Sequence, residues 1–148
     1  MEFLQSAWTL FINNWEVFLR GAYTALILAI IGTIIGALIG FFIGIMHTIP
    51  QRTKSFKIVL LKIFNFLLTA YVEIFRGTPM MVQAMVVFYG LVYLGFDIDR
   101  FLAASIVISL NTGAYMAEYV RGGIVSIDKG QFEAAQAIGM NHLQIMLY

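Results

Sequence analysis

The chain has 148 residues, of which 61% are hydrophobic and 11% charged, and its net charge is +1. That balance is far from the soluble norm, and it excludes a nucleic-acid surface, which needs a clustered excess of positive charge. Cysteine is absent, so disulfides and thiolate metal sites are excluded as well. What remains is an all-α polytopic helix bundle, one transmembrane domain over 1–148 with no room for a soluble enzyme.

Residues 1–19 are mildly apolar and amphipathic, with Glu2 and Trp8 near the start and no basic residue. They lack the pattern of a cleavable signal peptide and are expected to lie on the outer surface. Residues 22–46 follow, 25 positions without a charge, long enough to cross a bilayer with some tilt. Within them Gly32, Gly36, Gly40 and Gly44 recur every fourth residue, making three overlapping G-x-x-x-G words. Such a row forms a groove along one helix face and admits a second backbone closely. The pattern does not say whether the partner helix belongs to this chain or to another subunit.

The next loop, 47–57, carries Arg52, Lys54 and Lys57, which places it in the cytoplasm. Residues 58–75 are apolar, but Lys62, Asn65, Thr69, Glu73 and Arg76 are spaced 3, 4, 4 and 3 apart and share one helical stripe. An amphipathic helix at the cytoplasmic interface, or along the inner edge of the bundle, is expected there. The competing reading is a further crossing helix with Lys62 snorkelling. Glu73 and Arg76 are expected to pair, and Thr78 with Pro79 to form the N-cap and first position of the next helix.

Two more uncharged runs, 79–96 and 101–117, flank a short loop with Asp97, Asp99 and Arg100. The second run extends to Tyr119 if Glu118 lies at the interface. The chain is therefore expected to have three spans, running inward, outward and inward, plus one interfacial helix. Polar groups inside spans are functional candidates, because lipid penalises them. On the third span, Asn111, Tyr115 and Glu118 share a face, with Arg121 placed to pair with Glu118. Gln83 sits early in the second span among Met80, Met81 and Met85, an adaptable surface. Gln83, Asn111, Tyr115 and Glu118 are thus candidates for a solute pathway. The plainer alternative is that Asn111 bonds across helices and that Glu118 and Arg121 are a structural pair. His47 and His142 have no partners at ligand spacing, so no metal site is expected.

The last segment, 121–148, has the signals of a helix, a turn and a second helix. Asp128 is a good N-cap with Gln131 at N3, residues 129–138 favour helix, and Gly139 can take the left-handed conformation that ends it. Asn141 can cap again, with Gln144 at N3. A short helix with small residues and one carboxylate, Glu133, suits a groove in a partner protein. The chain has no G-x-x-x-x-G-K-[ST] word, so ATP phosphates would have to be cradled by another polypeptide.

Three words carry a resemblance: EIFRGTPMMVQ at 73–83, AYMAEYVRGGI at 114–124 and GQFEAAQAIGMNHL at 130–143. Together they resemble the bacterial ABC importer permeases of the polar amino-acid branch, the histidine, glutamine and arginine type. The resemblance implies a type I importer permease-like fold in the bacterial inner membrane. It implies a cytoplasmic "EAA" coupling loop over 121–148, with Gly130, Gln131, Glu133, Ala134, Ala135 and Gly139 docking the ATPase. The implied partners are two copies of an ABC ATPase subunit, a second permease subunit (in a homo- or heterodimer), an extracytoplasmic solute-binding protein, an amino-acid substrate and membrane lipid. No cofactor is implied. Family members continue with an Ile-Leu-Pro segment and two further spans, so the chain reads as a truncated or partial sequence. A non-transporting membrane scaffold or modulator that retains the docking loop is the alternative function.

Overall fold

A computed structural model describes residues 1–48, 57–141 and 144–145. Six helices lie among them: α1 Glu2–Asn13, α2 Trp15–Thr48, α3 Lys57–Gly77, α4 Met80–Tyr93, α5 Arg100–Val125 and α6 Lys129–Ala137. Two of these, α2 and α5, are each long and apolar enough to cross a membrane. Large apolar side chains such as Ile34, Leu38, Phe42 and Val86 point outward, as a bilayer or a neighbouring helix requires.

The core is the seam between α2 and α5. All four glycines of the repeat are buried. Each step of four residues along α2 is matched by a step of four along α5: Gly32 faces Ile108, Gly36 faces Thr112, Gly40 faces Met116 and Gly44 faces Val120. The matching order means that the two helices run parallel, and that the glycine groove takes a partner from the same chain. A methyl group on Gly36 would meet the Ser109 carbonyl at 2.8 Å, and one on Gly44 the Ala117 carbonyl at 2.7 Å. Beside these contacts α5 presents Ser105, Ser109, Gly113 and Ala117, all buried. The Ser105 and Ser109 hydroxyls donate to carbonyls of their own helix, so neither is stranded in the seam.

Two parallel spans need an odd number of crossings between them. The helix found within 79–96 is α4, whose 14 residues reach only about 21 Å, short of a core of about 30 Å. It is bent by 110° from α3 at a short break, and the pair together has the length and hydropathy of one span. The second span is therefore a broken one. This modifies the expectation for 58–75: the last turns of α3 belong to the crossing, rather than lying wholly at the interface.

Local signals set the remaining ends. Asp99 caps α5 by accepting from the Phe101 and Leu102 amides at 2.9 and 3.2 Å. Gly95, at φ +85°, ends α4 in a turn where the Phe96 amide reaches the Leu91 carbonyl at 3.0 Å. Pro79 is the N-cap of α4, with no side-chain cap. Thr78, expected in that role, instead turns back and donates from its hydroxyl to the Ile74 carbonyl at 2.8 Å. The last turn of α3 has carbonyls to spare, and the hydroxyl serves one of them.

Candidate functional site

The α3–α4 break leaves backbone groups without helical partners at the depth of mid-α5. Lipid cannot satisfy them, so side chains must. Gln83 and Asn111 do so. The Gln83 amide donates to the Phe75 carbonyl at 2.9 Å, to the Thr78 carbonyl at 3.0 Å and to the Thr78 hydroxyl at 2.7 Å. Asn111 donates to the same Phe75 carbonyl at 3.0 Å and to the Gln83 amide oxygen at 3.2 Å. The short loop from α4 to α5 makes these helices antiparallel neighbours, so Gln83 and Asn111 meet halfway along the bundle. Tyr71 completes the joint by donating to the Leu110 carbonyl at 2.6 Å.

One and two turns further along α5 lie Tyr115 and Glu118. The Arg76 guanidinium sits over the Tyr115 ring, 5.6 Å from its centroid, and 3.8 Å from the Glu118 carboxylate. Arg121 chelates the same carboxylate, with Nε at 3.0 Å and a second, short bond from Nη2. The expected Glu118–Arg121 pair is thus present, but the expected Glu73–Arg76 pair is not. Arg76 reaches across to α5, while Glu73 is exposed. The tertiary site offers Arg76 a carboxylate and an aromatic face together, which a neighbour on its own helix cannot match.

All four pathway candidates, Gln83, Asn111, Tyr115 and Glu118, therefore gather around the break. Their arrangement supplies an amide pair, an aromatic face and three charges, two positive and one negative, along one side of α5. Glu118 and Arg76 keep 30% and 40% of their side-chain surface exposed, so the cluster is not sealed within this chain. Four participants escaped the sequence reading: Tyr71, the Phe75 carbonyl, Thr78 and Arg76 as a partner of α5. The Gly77-Thr78-Pro79 word inside a long apolar stretch was a usable signal, since a proline there forces a helix to stop. Among the described residues no cluster of His, Cys, Asp or Glu is suited to a metal ion. His142 lies outside the described residues. His47, at the end of α2, is half-buried.

The second candidate surface is α6. Asp128 caps it through the Gly130 amide at 2.6 Å, although Gln131 does not return the bond. Gly139, at φ +86°, ends the α6 segment in a Schellman turn, with bonds from Gly139 N to Gln136 O and from Met140 N to Ala135 O. The reciprocal capping box forms one step later, between Asn141 and Gln144, at 2.8 and 2.9 Å. Gly130, Gln131, Glu133, Ala134 and Gly139 are exposed, and Ala135 is half-buried. Because α6 follows α5, and α5 runs parallel to α2, α6 stands at the same end of the bundle as the end of α2.

Residues 58–148 match the family described as binding-protein-dependent transport system inner membrane component. The chain is 46% identical over 91 residues to the arginine transport system permease protein ArtQ of Bacillus subtilis, covering 61% of this chain and 42% of that protein. It is 30% identical over 136 residues to the probable glutamine ABC transporter permease protein GlnM of the same organism, covering 92% and 58%. Among solved structures, the crystal structure of an amino acid ABC transporter with histidines superposes with a TM-score of 0.75 at 33% identity, over 91% of this chain and 58% of that one. The MetNI methionine ABC transporter shares the fold, at a TM-score of 0.66 and 23% identity. The chain spans about half the length of the curated relatives it matches.

Proposed function

The chain belongs to the binding-protein-dependent transport system inner membrane components, and from that membership we infer that it lines the solute pathway of an ATP-driven importer of polar amino acids. The observation that carries this reading is the broken span, whose joint places Gln83 and Asn111 beside Tyr115, Glu118 and Arg76. Discontinuous helices put polar groups at mid-membrane, where a solute has to shed water. A zwitterion needs both an acceptor for its ammonium and donors for its carboxylate. Glu118 supplies the first, and Arg76 and the Asn111 amide the second. The relatives named for arginine and glutamine transport agree with a solute of that class.

Energy enters from another polypeptide in this reading. The α6 helix docks into an ABC ATPase subunit, with Glu133, Ala134 and Ala135 as the seated turn and Gly130, Gln131 and Gly139 setting its ends. Two ATPase copies, a second permease subunit and an extracytoplasmic solute-binding protein complete the assembly. ATP draws the paired α6 helices together, and the pathway alternates between two states whose balance the nucleotide sets. Orientation follows the basic 47–57 loop, which places α6 and the end of α2 in the cytoplasm.

One assay tests both halves: solute-stimulated ATP hydrolysis in liposomes, with pull-down of the ATPase at matched membrane abundance. Asn111→Ala should retain association and lose solute stimulation by an amount equivalent to about 1–3 kcal/mol of binding. Gly139→Val puts a β-branched residue at positive φ, and should insert normally but lose association. Wild-type stimulation in Asn111→Ala would remove this face from the pathway. Wild-type association in Gly139→Val would remove the docking role of α6. Association without any solute response, in the unaltered chain, would instead support a scaffold.

A further inference from the structure

Residues 1–20 carry a surface that neither the pathway nor the docking helix uses. Leu4, Trp8, Phe11, Trp15 and Phe18 are spaced 4, 3, 4 and 3 apart, so they form one helical stripe. The stripe keeps its register across the end of α1 at Asn14: the Trp8 and Phe11 rings stack at 6.1 Å, and the Phe11 and Phe18 rings lie 5.3 Å apart across the junction. All five side chains are exposed, from 47% at Phe11 to 72% at Leu4. The opposite side is polar. Glu2, Gln5, Ser6, Thr9 and Asn13, with Leu10 as the one apolar member, line a shallow groove there, and Glu16 and Arg20 fall on the same side of the next turns.

Three observations identify what covers the stripe. First, it is continuous with the outward apolar face of α2, a helix long and apolar enough to cross a membrane. Second, α2 is about 51 Å long, well beyond a hydrocarbon core of about 30 Å, and its uncharged part begins only after Arg20. The turns Trp15 to Arg20 therefore stand at headgroup level, and α1 starts from that depth. Third, the polar side holds two glutamates against one arginine, so attraction to anionic headgroups is not what holds it. Tryptophans at that level, with an apolar ring and a polar N–H, are what a membrane interface selects.

We propose that residues 1–20 are a lipid anchor: they lie in the headgroup layer at the end of α2 opposite α6, with the Leu4–Trp8–Phe11–Trp15–Phe18 stripe resting on the acyl chains. The anchor holds the start of α2 at one depth, and through the glycine seam it fixes the depth of α5 and the joint beside it.

The chain offers its own probe, because Trp8 and Trp15 are its only tryptophans. The full chain, reconstituted in phosphatidylcholine vesicles, would be examined by tryptophan fluorescence with brominated lipids. Trp8→Phe and Trp15→Phe, each conservative, assign the signal to one residue at a time. Both tryptophans should be quenched more strongly by bromines near the glycerol end of the acyl chain than near the methyl end. Exchange of half the lipid for phosphatidylglycerol should leave that pattern unchanged. Stronger quenching of Trp8 from the methyl end would mean that the segment crosses the bilayer. No quenching of Trp8 by either lipid would mean that water or a protein partner covers the stripe. Either result overturns the anchor. The readout involves neither ATP nor solute, so it stands apart from the transport reading.

Discussion

The α2–α5 seam and the α3–α4 joint both lean on α5, and they do so by opposite means. Along the seam, backbone approaches backbone: the glycines of α2 leave no room for a side chain, and the Ser105 and Ser109 hydroxyls are satisfied within their own helix. At the joint, the helix itself is interrupted, and side chains from α4 and α5 supply the missing hydrogen bonds. The first arrangement is rigid because atoms have nowhere to go. The second can be rearranged, because a donor that serves a carbonyl can also serve a solute. A pathway needs one fixed wall and one responsive wall, and α5 lies between the two.

The largest expected effect comes from filling the seam. A side chain on Gly40 would meet the Ala117 amide nitrogen at 2.8 Å, so Gly40→Leu must push α2 away from α5 and should cost about 3 kcal/mol. Unfolding by SDS titration measures this. Gly77 belongs to the joint and has nothing within 4 Å of the same position, so Gly77→Ala should be tolerated on space alone. Equal losses at the two sites would end the distinction between them.

Next in size is Gln83→Leu, which removes the donor shared by the Phe75 and Thr78 carbonyls. Stability should fall by about 1–3 kcal/mol, and solute-stimulated hydrolysis should fall with it. A double-mutant cycle with Asn111→Leu sharpens the point. Since both residues serve Phe75, the two losses should be non-additive by at least about 0.5 kcal/mol. Strict additivity would mean that they do not form one joint. The smallest effect is expected from Arg76→Gln. Its pair with Glu118 is 3.8 Å long and substantially exposed, so its loss should change stability by less than about 1 kcal/mol while still altering solute response.

What was legible in the sequence follows the same division. The Gly32 to Gly44 repeat, the Asp128 cap, the left-handed Gly139 and the Asn141–Gln144 box are local patterns, and each reappears as a local structure. Of the three expected spans, two are single helices long and apolar enough to cross, α2 and α5, and the expected second one corresponds to the bent α3–α4 pair. The partner of the glycine groove was not legible, because nothing within α2 encodes the position of α5. Arg76 shows the limit most clearly. Spacing pointed to Glu73 three residues away, but a carboxylate and a tyrosine ring 42 and 39 residues along the chain provide the better site. Thr78 was misassigned for a related reason. Its sequence context reads equally well as the start of α4 or the end of α3, and the tertiary position of Gln83 decides between them.

The account rests on the joint being part of the solute pathway, and the absence of cysteine makes that claim directly measurable. Thr78→Cys places a single thiol at the break, next to the Gln83 amide. In the permease assembled with its ATPase in liposomes, a small water-soluble thiol reagent should label this cysteine, and saturating transported amino acid should protect it. A thiol that stays unlabelled in both nucleotide states, or is labelled equally with and without solute while transport continues, would place the break outside the pathway and contradict the account.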